Sequence, residues 1–157
     1  LFYATGMRVS EIASLDVADV NLAEAAVVCR KASSSQRIIP IMPHAVEAIK
    51  IYLQHGRPII PPALNEQALF LDPHGERLTR QGLWLIIKGC VKEVGIKTLV
   101  TPNTLRHSFA VHLLNRGEDV ARVQQLLGHT SAATTKAYVR LLEASEAAER
   151  IAAVEKE

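Results

Sequence analysis

Cysteine is scarce: Cys29 and Cys90 stand far apart and form no CxxC pair. That excludes a disulfide framework and a zinc ribbon, and it reads as two buried thiols in a reducing compartment. No run approaches the roughly 18 apolar residues of a membrane-spanning helix, so no membrane partner is expected. No long block of like charge occurs either, while 48% of the residues are hydrophobic and mean hydropathy is +0.11, which excludes disorder. The opening Leu1-Phe2-Tyr3-Ala4 has neither an initiator Met nor a basic stretch, so it is not expected to be a signal peptide. A start part-way through an apolar run is expected of a piece of a longer protein. The 157 residues suit one domain, residues 1–157, burying about two-thirds of its unfolded surface.

Several chemistries lack their residues. There is no GxxxxGK[ST], no GxGxxG and no HExxH. A two-metal nuclease needs converging carboxylates. The basic half of the chain holds only Glu93, Glu118 and Asp119, two of them adjacent. Neither a catalytic metal nor a cofactor is expected.

Net charge is +2, and its distribution says more than its size. Residues 1–76 carry six Lys/Arg against eight Asp/Glu, a net of −2. Residues 77–140 carry ten against three, a net of +7, and residues 141–157 two against five, a net of −3. A basic segment before an acidic tail suggests that one part of the chain meets a polyanion, although a solvated basic face fits charge alone equally well.

Periodicity and punctuation predict a mainly α chain with a small antiparallel β-sheet (α+β), without internal repeats. Gly6 is placed to end a first helix, and Val9, Ile12 and Leu15 keep helical spacing after it. The β-prone runs Ala25–Cys29 and Ile38–Ile41 flank a polar connector, Arg30–Arg37, and predict a hairpin with Pro40 on an edge strand. A helix is expected over His44–Gln54, a proline-rich loop over Arg57–Asn65 and a short strand at Leu69–Leu71. Thr79 and Thr101-Pro102 are helix starts, with Gly95 and Gly117 as stops. Asp119 opens a helix closed by Gly128, and Ser131 opens another that leads into the acidic tail. Ile151 and Val154 give that tail a narrow apolar stripe.

Thr101–Phe109 reads Thr-Pro-Asn-Thr-Leu-Arg-His-Ser-Phe. Asn103 and Arg106, three apart, share one face of the first turns, where a helix N-terminus and an Arg fork suit a phosphate. Leu105, Phe109 and Leu113 are expected to point into the core. Leu126-Leu127-Gly128-His129 puts a histidine just past a glycine cap, and Tyr138 follows in Thr134-Thr135-Lys136-Ala137-Tyr138.

These motifs resemble the tyrosine recombinase (phage integrase) family. Its signature runs T-P-H-x-L-R-H-S-F-A, L-x-x-x-G, L-L-G-H and T-T-x-x-Y. Here it stands as Thr101–Ala110, Leu113–Gly117, Leu126–His129 and Thr134–Tyr138. Tyr3-Ala4-Thr5-Gly6-Met7-Arg8-Val9-Ser10-Glu11-Ile12 resembles the family's first catalytic-arginine motif. The resemblance runs from about Leu1 to Leu142, with the motifs in family order, and it implies the family's catalytic-domain fold without the helical core-binding domain upstream.

It also implies site-specific DNA recombination or integration. Arg8 and Arg106 would clamp the non-bridging oxygens of a phosphodiester whose charge grows in the transition state. His129 would donate a further hydrogen bond. Tyr138 would attack phosphorus to form a 3′-phosphotyrosyl link, and Lys31, on the hairpin, would protonate the 5′-hydroxyl leaving group. The implied partners are double-stranded DNA and further copies of the chain, as a tetramer on DNA and a monomer when isolated. The implied compartment is the cytoplasm. Arg37, Arg80, Lys136 and Arg140 are candidate DNA contacts, for which a solvated face is an equal alternative. Taken singly, Arg8 could pair with Glu11, Arg106 could form a helix-face ion pair, His129 could be a cap and Tyr138 a half-buried aromatic. Their joint order favours the functional reading, and His107 reads as structural.

The departure from the pattern is Asn103, where the family usually has His. A histidine can take and return a proton near neutral pH, whereas an amide only donates or accepts hydrogen bonds. Asn103 leaves open a second function, a catalytically impaired DNA-binding remnant.

Overall fold

The computed structural model describes residues 1–31, 34–63, 66–129 and 138–139, without the side chains of residues 31, 34 and 35. The helix expected to open at Ser131, the acidic tail, Lys136 and Arg140 lie outside the described residues.

The expected architecture is observed: helices around a small three-stranded antiparallel sheet. Helix α1 (Phe2–Thr5) ends at Gly6, whose φ of +59° is left-handed. The buried Thr5 hydroxyl donates to the Leu1 carbonyl (3.0 Å) and accepts from the Met7 amide (3.3 Å), which fixes the turn into α2 (Val9–Ala13). Strands β1 (Val20–Asn21), β2 (Ala26–Lys31) and β3 (Ser34–Pro40) follow in spatial order, then α3 (Pro43–Ile51). Helices α4 (Arg80–Glu93), α5 (Pro102–Asn115) and α6 (Val120–Leu127) complete the described fold. None of the described helices is long and apolar enough to cross a membrane.

The start signals act as expected. The Thr79 hydroxyl accepts from the Gly82 amide, and Thr101 and Thr104 cap each other reciprocally at 3.1 Å with Pro102 at the first helical position. Pro40 ends an edge strand, where its missing N–H breaks no ladder.

Four expectations are corrected. The hairpin strands run through most of the supposed connector, up to a Lys31–Ser34 pair with a register shift after Cys29. Backbone pairing continues there because the charges find partners: Arg30 Nε lies 2.9 Å from Asp19, and Arg37 pairs with Glu11. Leu69–Leu71 forms isolated bridges and no strand. Leu69 donates its amide to the Leu15 carbonyl, Leu71 donates to the Tyr52 hydroxyl, and the Phe70 carbonyl accepts from Leu78 beside the Leu71–Arg77 bridge, so no ladder builds. The third helix stops at Ile51 and loosens into a wider turn over Tyr52–Gly56. Of the two cysteines only Cys29 is buried; Cys90 is exposed on α4.

The core lies between α1, α2, the inner face of the sheet and the α5–α6 pair, around Met7, Ile12, Val27, Ile39, Phe109, Val123 and Leu127. Strand alternation puts Val27 and Cys29 on that inner face with Arg37, Ile39 and Ile41, and turns Ile38 out to 66% exposure.

Helix α1 packs against α5 so closely that a Cβ on Gly6 would lie 2.3 Å from the Phe109 ring and 2.9 Å from Leu127. Gly6→Ala is predicted to cost about 2–4 kcal/mol, from a strained left-handed backbone plus overpacking. Denaturant unfolding checks this, and a loss below about 0.5 kcal/mol would contradict the packing described.

Candidate active site

A helix leaves its last carbonyls without intrahelical partners and concentrates partial negative charge there. Helix α6 ends at Gly128 (φ +63°), with the Gly128 amide on the Gln125 carbonyl and the His129 amide on that of Gln124, both at 3.1 Å. Three arginines from three distant segments close on this end. Arg106 of α5 donates from Nη2 to the Leu127 carbonyl (2.7 Å) and from Nη1 to the Gly6 carbonyl (2.5 Å). Arg37 of β3 donates from Nε to the Leu126 carbonyl (2.9 Å). Arg8, the residue preceding α2, reaches the Gly128 carbonyl from Nη2 (3.3 Å).

Glu11 holds two of these guanidinia together. Its carboxylate takes a bidentate pair from Arg37 (3.0 and 2.8 Å), a bond from Arg8 Nη1 (3.1 Å) and the Arg8 backbone amide (2.7 Å). Burial pushes its pKa up, but the Arg37 and Arg8 bonds and charges outweigh that and hold it at about 2. The three arginines thus face one carboxylate and keep an excess of positive charge. Burial, then the neighbouring Arg8 charge, lowers the Arg106 pKa to about 10, which leaves it charged at neutral pH. Arg8 is the accessible member, its side chain 37% exposed against 11% for Arg37.

The tyrosine and histidine sit on this cluster. The Tyr138 ring lies parallel to His129 (13° between planes, centroids 6.0 Å apart) and edge-on to His107 (5.0 Å, 72°). Burial raises the Tyr138 pKa despite the charge and hydrogen bond of Arg106 and the charge of Arg8, so the phenol is protonated at neutral pH. Burial, followed by the charges of Arg106, Arg8, Arg37 and His107, brings His129 down to about 4, leaving a neutral imidazole. His129 also lines an open groove of about 1220 Å³ between the sheet and α6.

Arg8, Arg106, His129 and Tyr138, separated by up to 130 residues in sequence, therefore come together. Asn103 is exposed and lines a second hollow of about 430 Å³ at the starts of α4 and α5, with Arg80, Trp84, Thr101 and Val9. Arg106, expected with Asn103 on an outer face, is buried between α1 and α6 because both carbonyl partners lie there. Arg37, expected as a DNA contact, points inward, its guanidinium engaged by Glu11 and Leu126. Lys31 is the last residue of β2, and its side chain lies outside the described atoms. Glu11 was expected only as an alternative partner for Arg8, and its spacing of three residues within a helix start was the available signal. No comparable signal marked His107 as a neighbour of Tyr138. Among the described residues, no three His, Cys, Asp or Glu side chains gather as a metal site.

The fold and this cluster define a helical domain with a cationic pocket around a tyrosine. The model of the phage integrase family matches residues 1–145. A tyrosine recombinase XerC of Herpetosiphon aurantiacus is 49% identical over 141 residues, 90% of this chain and 46% of that protein. The crystal structure of XerA recombinase superposes with a TM-score of 0.81 at 33% identity, over 87% of this chain and 49% of that one. The XerH site-specific recombinase, in a pre-cleavage complex with its difH substrate, has a TM-score of 0.75 at 28% identity, over 92% of this chain and 42% of that one. The chain belongs to the phage integrase family, the tyrosine recombinases, and spans about half the length of the curated relatives it matches.

The depressed His129 pKa has a thermodynamic consequence. Between pH 6.5 and about 4 the unfolded chain takes up this proton and the folded chain does not, so stability falls as pH falls through that window. After allowance for partial solvent screening, this linkage is predicted to be worth about 1–2 kcal/mol. Denaturant unfolding from pH 7 to 5, above the range where Glu11 adds its own loss, should show the decline, and His129→Gln should flatten it. An equally steep decline in the variant would refute the assignment.

Proposed function

We propose that this chain carries the active site of a site-specific recombinase, which cuts and rejoins double-stranded DNA through a 3′-phosphotyrosyl intermediate. The observation that carries this reading is the placement of Tyr138 against His129 and Arg106, with Arg8 alongside at the same helix end.

In the proposed reaction the Tyr138 oxygen attacks the scissile phosphorus, a P–O bond to tyrosine forms, and the P–O5′ bond breaks. The Tyr138 proton leaves to solvent water, and Lys31 supplies the proton that the 5′-oxygen takes up. Reversal with a 5′-hydroxyl from another strand rejoins the DNA. A free phenol is only about one part in a thousand ionised at pH 7, and burial worsens this before DNA arrives. Arg8 and Arg106 retain N–H donors beyond those engaged by protein carbonyls, and charge-assisted bonds from them to the non-bridging oxygens stabilise the transition state. His129, neutral, donates from one ring nitrogen. Asn103 cannot titrate, so it takes no proton from Tyr138; in this reading it and Arg80, which line the second hollow, contact flanking DNA. Assembly on DNA is as a tetramer, and the compartment is the bacterial cytoplasm.

The test uses the intact protein and a nicked duplex carrying its recombination site, from which the short fragment bearing the freed 5′-hydroxyl diffuses away. Wild type is expected to give a protein–DNA band on a denaturing gel. Tyr138→Phe is expected to bind the site with unchanged affinity and give no band. A band that survives Tyr138→Phe would move the nucleophile elsewhere, and DNA binding without any band from wild type would favour the DNA-binding remnant.

A further inference from the structure

We propose that Arg37 is a positioning residue for cleavage, holding Glu11 so that Arg8 keeps donors for a phosphate and bracing the helix end that carries His129. This rests on the strand-cleavage reading above. Arg37 sits opposite Cys29 in the hairpin and shares the inward face with Ile39 and Ile41, so its guanidinium is delivered into the protein. There it makes a planar fork with Glu11, both oxygens engaged, while Nε holds the Leu126 carbonyl. It also packs beneath Gly128: a Cβ at that position would lie 2.9 Å from Arg37 Nη1.

Two lines of influence run from this one side chain. Glu11 Oε1 is shared between Arg37 and Arg8, so Arg37 sets where the carboxylate stands and how strongly it draws on Arg8. With Arg37 neutralising Glu11, Arg8 keeps donors and charge for a phosphate. Without it, Glu11 would pull Arg8 into a closed pair. The second line passes through Leu126 and Gly128 to His129, the next residue. A guanidinium so enclosed cannot turn to a phosphate without stripping the buried Glu11 carboxylate of its bidentate partner and leaving it to Arg8 alone, a costly state. Lysine, with one point charge, cannot serve the carboxylate and the helix end together.

The groups facing Glu11 are Arg8 before α2, Arg37 on β3, Cys29 on β2 and, further off, Arg106 on α5. Burial pushes the Cys29 thiol up to about 11, so it adds no charge at neutral pH. Removing Arg37 leaves burial less opposed, and the Glu11 pKa should climb toward the range where cleavage is assayed.

The experiment measures single-turnover adduct formation at saturating DNA, together with affinity and its salt dependence, in the intact protein. Arg37→Gln is expected to slow adduct formation at least tenfold at pH 7.5 while affinity stays within about twofold and the salt slope is unchanged. Its rate should partly recover between pH 6.5 and 5, as Glu11 takes up a proton and releases Arg8, a rise absent from wild type and from the double variant Glu11→Gln/Arg37→Gln. Arg37→Lys should recover only part of the rate. If Arg37→Gln fails to fold, as its melting curve would show, Glu11→Gln/Arg37→Met removes both charges and leaves neither unpaired. That variant should fold, bind and cleave at least tenfold slower, and cleavage at the wild-type rate would overturn the proposal. A phosphate contact would instead lower affinity, reduce the salt slope by about one and leave the saturated rate intact, which would also overturn it. If wild type itself forms no adduct, the cleavage reading falls and this inference with it; if wild type cleaves and Arg37→Gln matches it, only this inference falls.

Discussion

The carboxyl end of α6 is the point on which the site depends. Guanidinium groups repel one another, and three of them would not converge without an anionic anchor. The carbonyls of Leu126, Leu127 and Gly128 supply one part of it, and Glu11 supplies the other. Each arginine comes from a different layer: Arg8 from the α1–α2 joint, Arg37 from the sheet, Arg106 from α5. The helix end therefore links the parts of the fold and the parts of the site by the same bonds. Gly6 and Gly128 have left-handed backbones beside this point, and Gly6 also lends its carbonyl to Arg106.

The electrostatic state that results is prepared for an anion. Arg106 remains charged although burial lowers its pKa, Tyr138 is a buried protonated phenol, and His129 is a neutral imidazole held well below its ordinary pKa. The crowding of guanidinium charges at the helix end is unfavourable in a way that a phosphodiester relieves. Bound negative charge lowers the repulsion between guanidinia and raises the proton affinity of His129. The anion also meets donors that are already oriented, the condition under which electrostatic stabilisation of a transition state is strongest.

Much of this was legible in the sequence. Glycine stops, threonine caps and the Val27-x-Cys29 and Arg37-x-Ile39-x-Ile41 alternations give the elements their limits and faces. The motif order placed Arg8, Arg106, His129 and Tyr138 in one family pattern before any geometry. What escaped the reading was the direction of charged side chains. Arg37 looked like part of a basic surface, although its phase with Ile39 and Ile41 turns it inward; only the position of Glu11, 26 residues earlier, shows how that charge is tolerated. Arg106 appeared to lie beside Asn103 on an open face, but its carbonyl partners belong to α1 and α6, a tertiary fact that helical spacing does not carry. Leu69–Leu71 looked like a strand on composition, yet its backbone partners come from two separate segments.

The central claim is that the arginines at the end of α6 form a ready-made seat for the scissile phosphate. A crystal structure of the intact protein covalently trapped on nicked DNA tests it most directly. The account predicts the phosphate joined to Tyr138, within hydrogen-bonding distance of both Arg8 and Arg106, with the Arg106 bond to the Leu127 carbonyl and the Arg37–Glu11 pair retained. A phosphate held instead in the hollow of Arg80 and Asn103, or an Arg106 withdrawn from the helix end to reach it, would contradict the account.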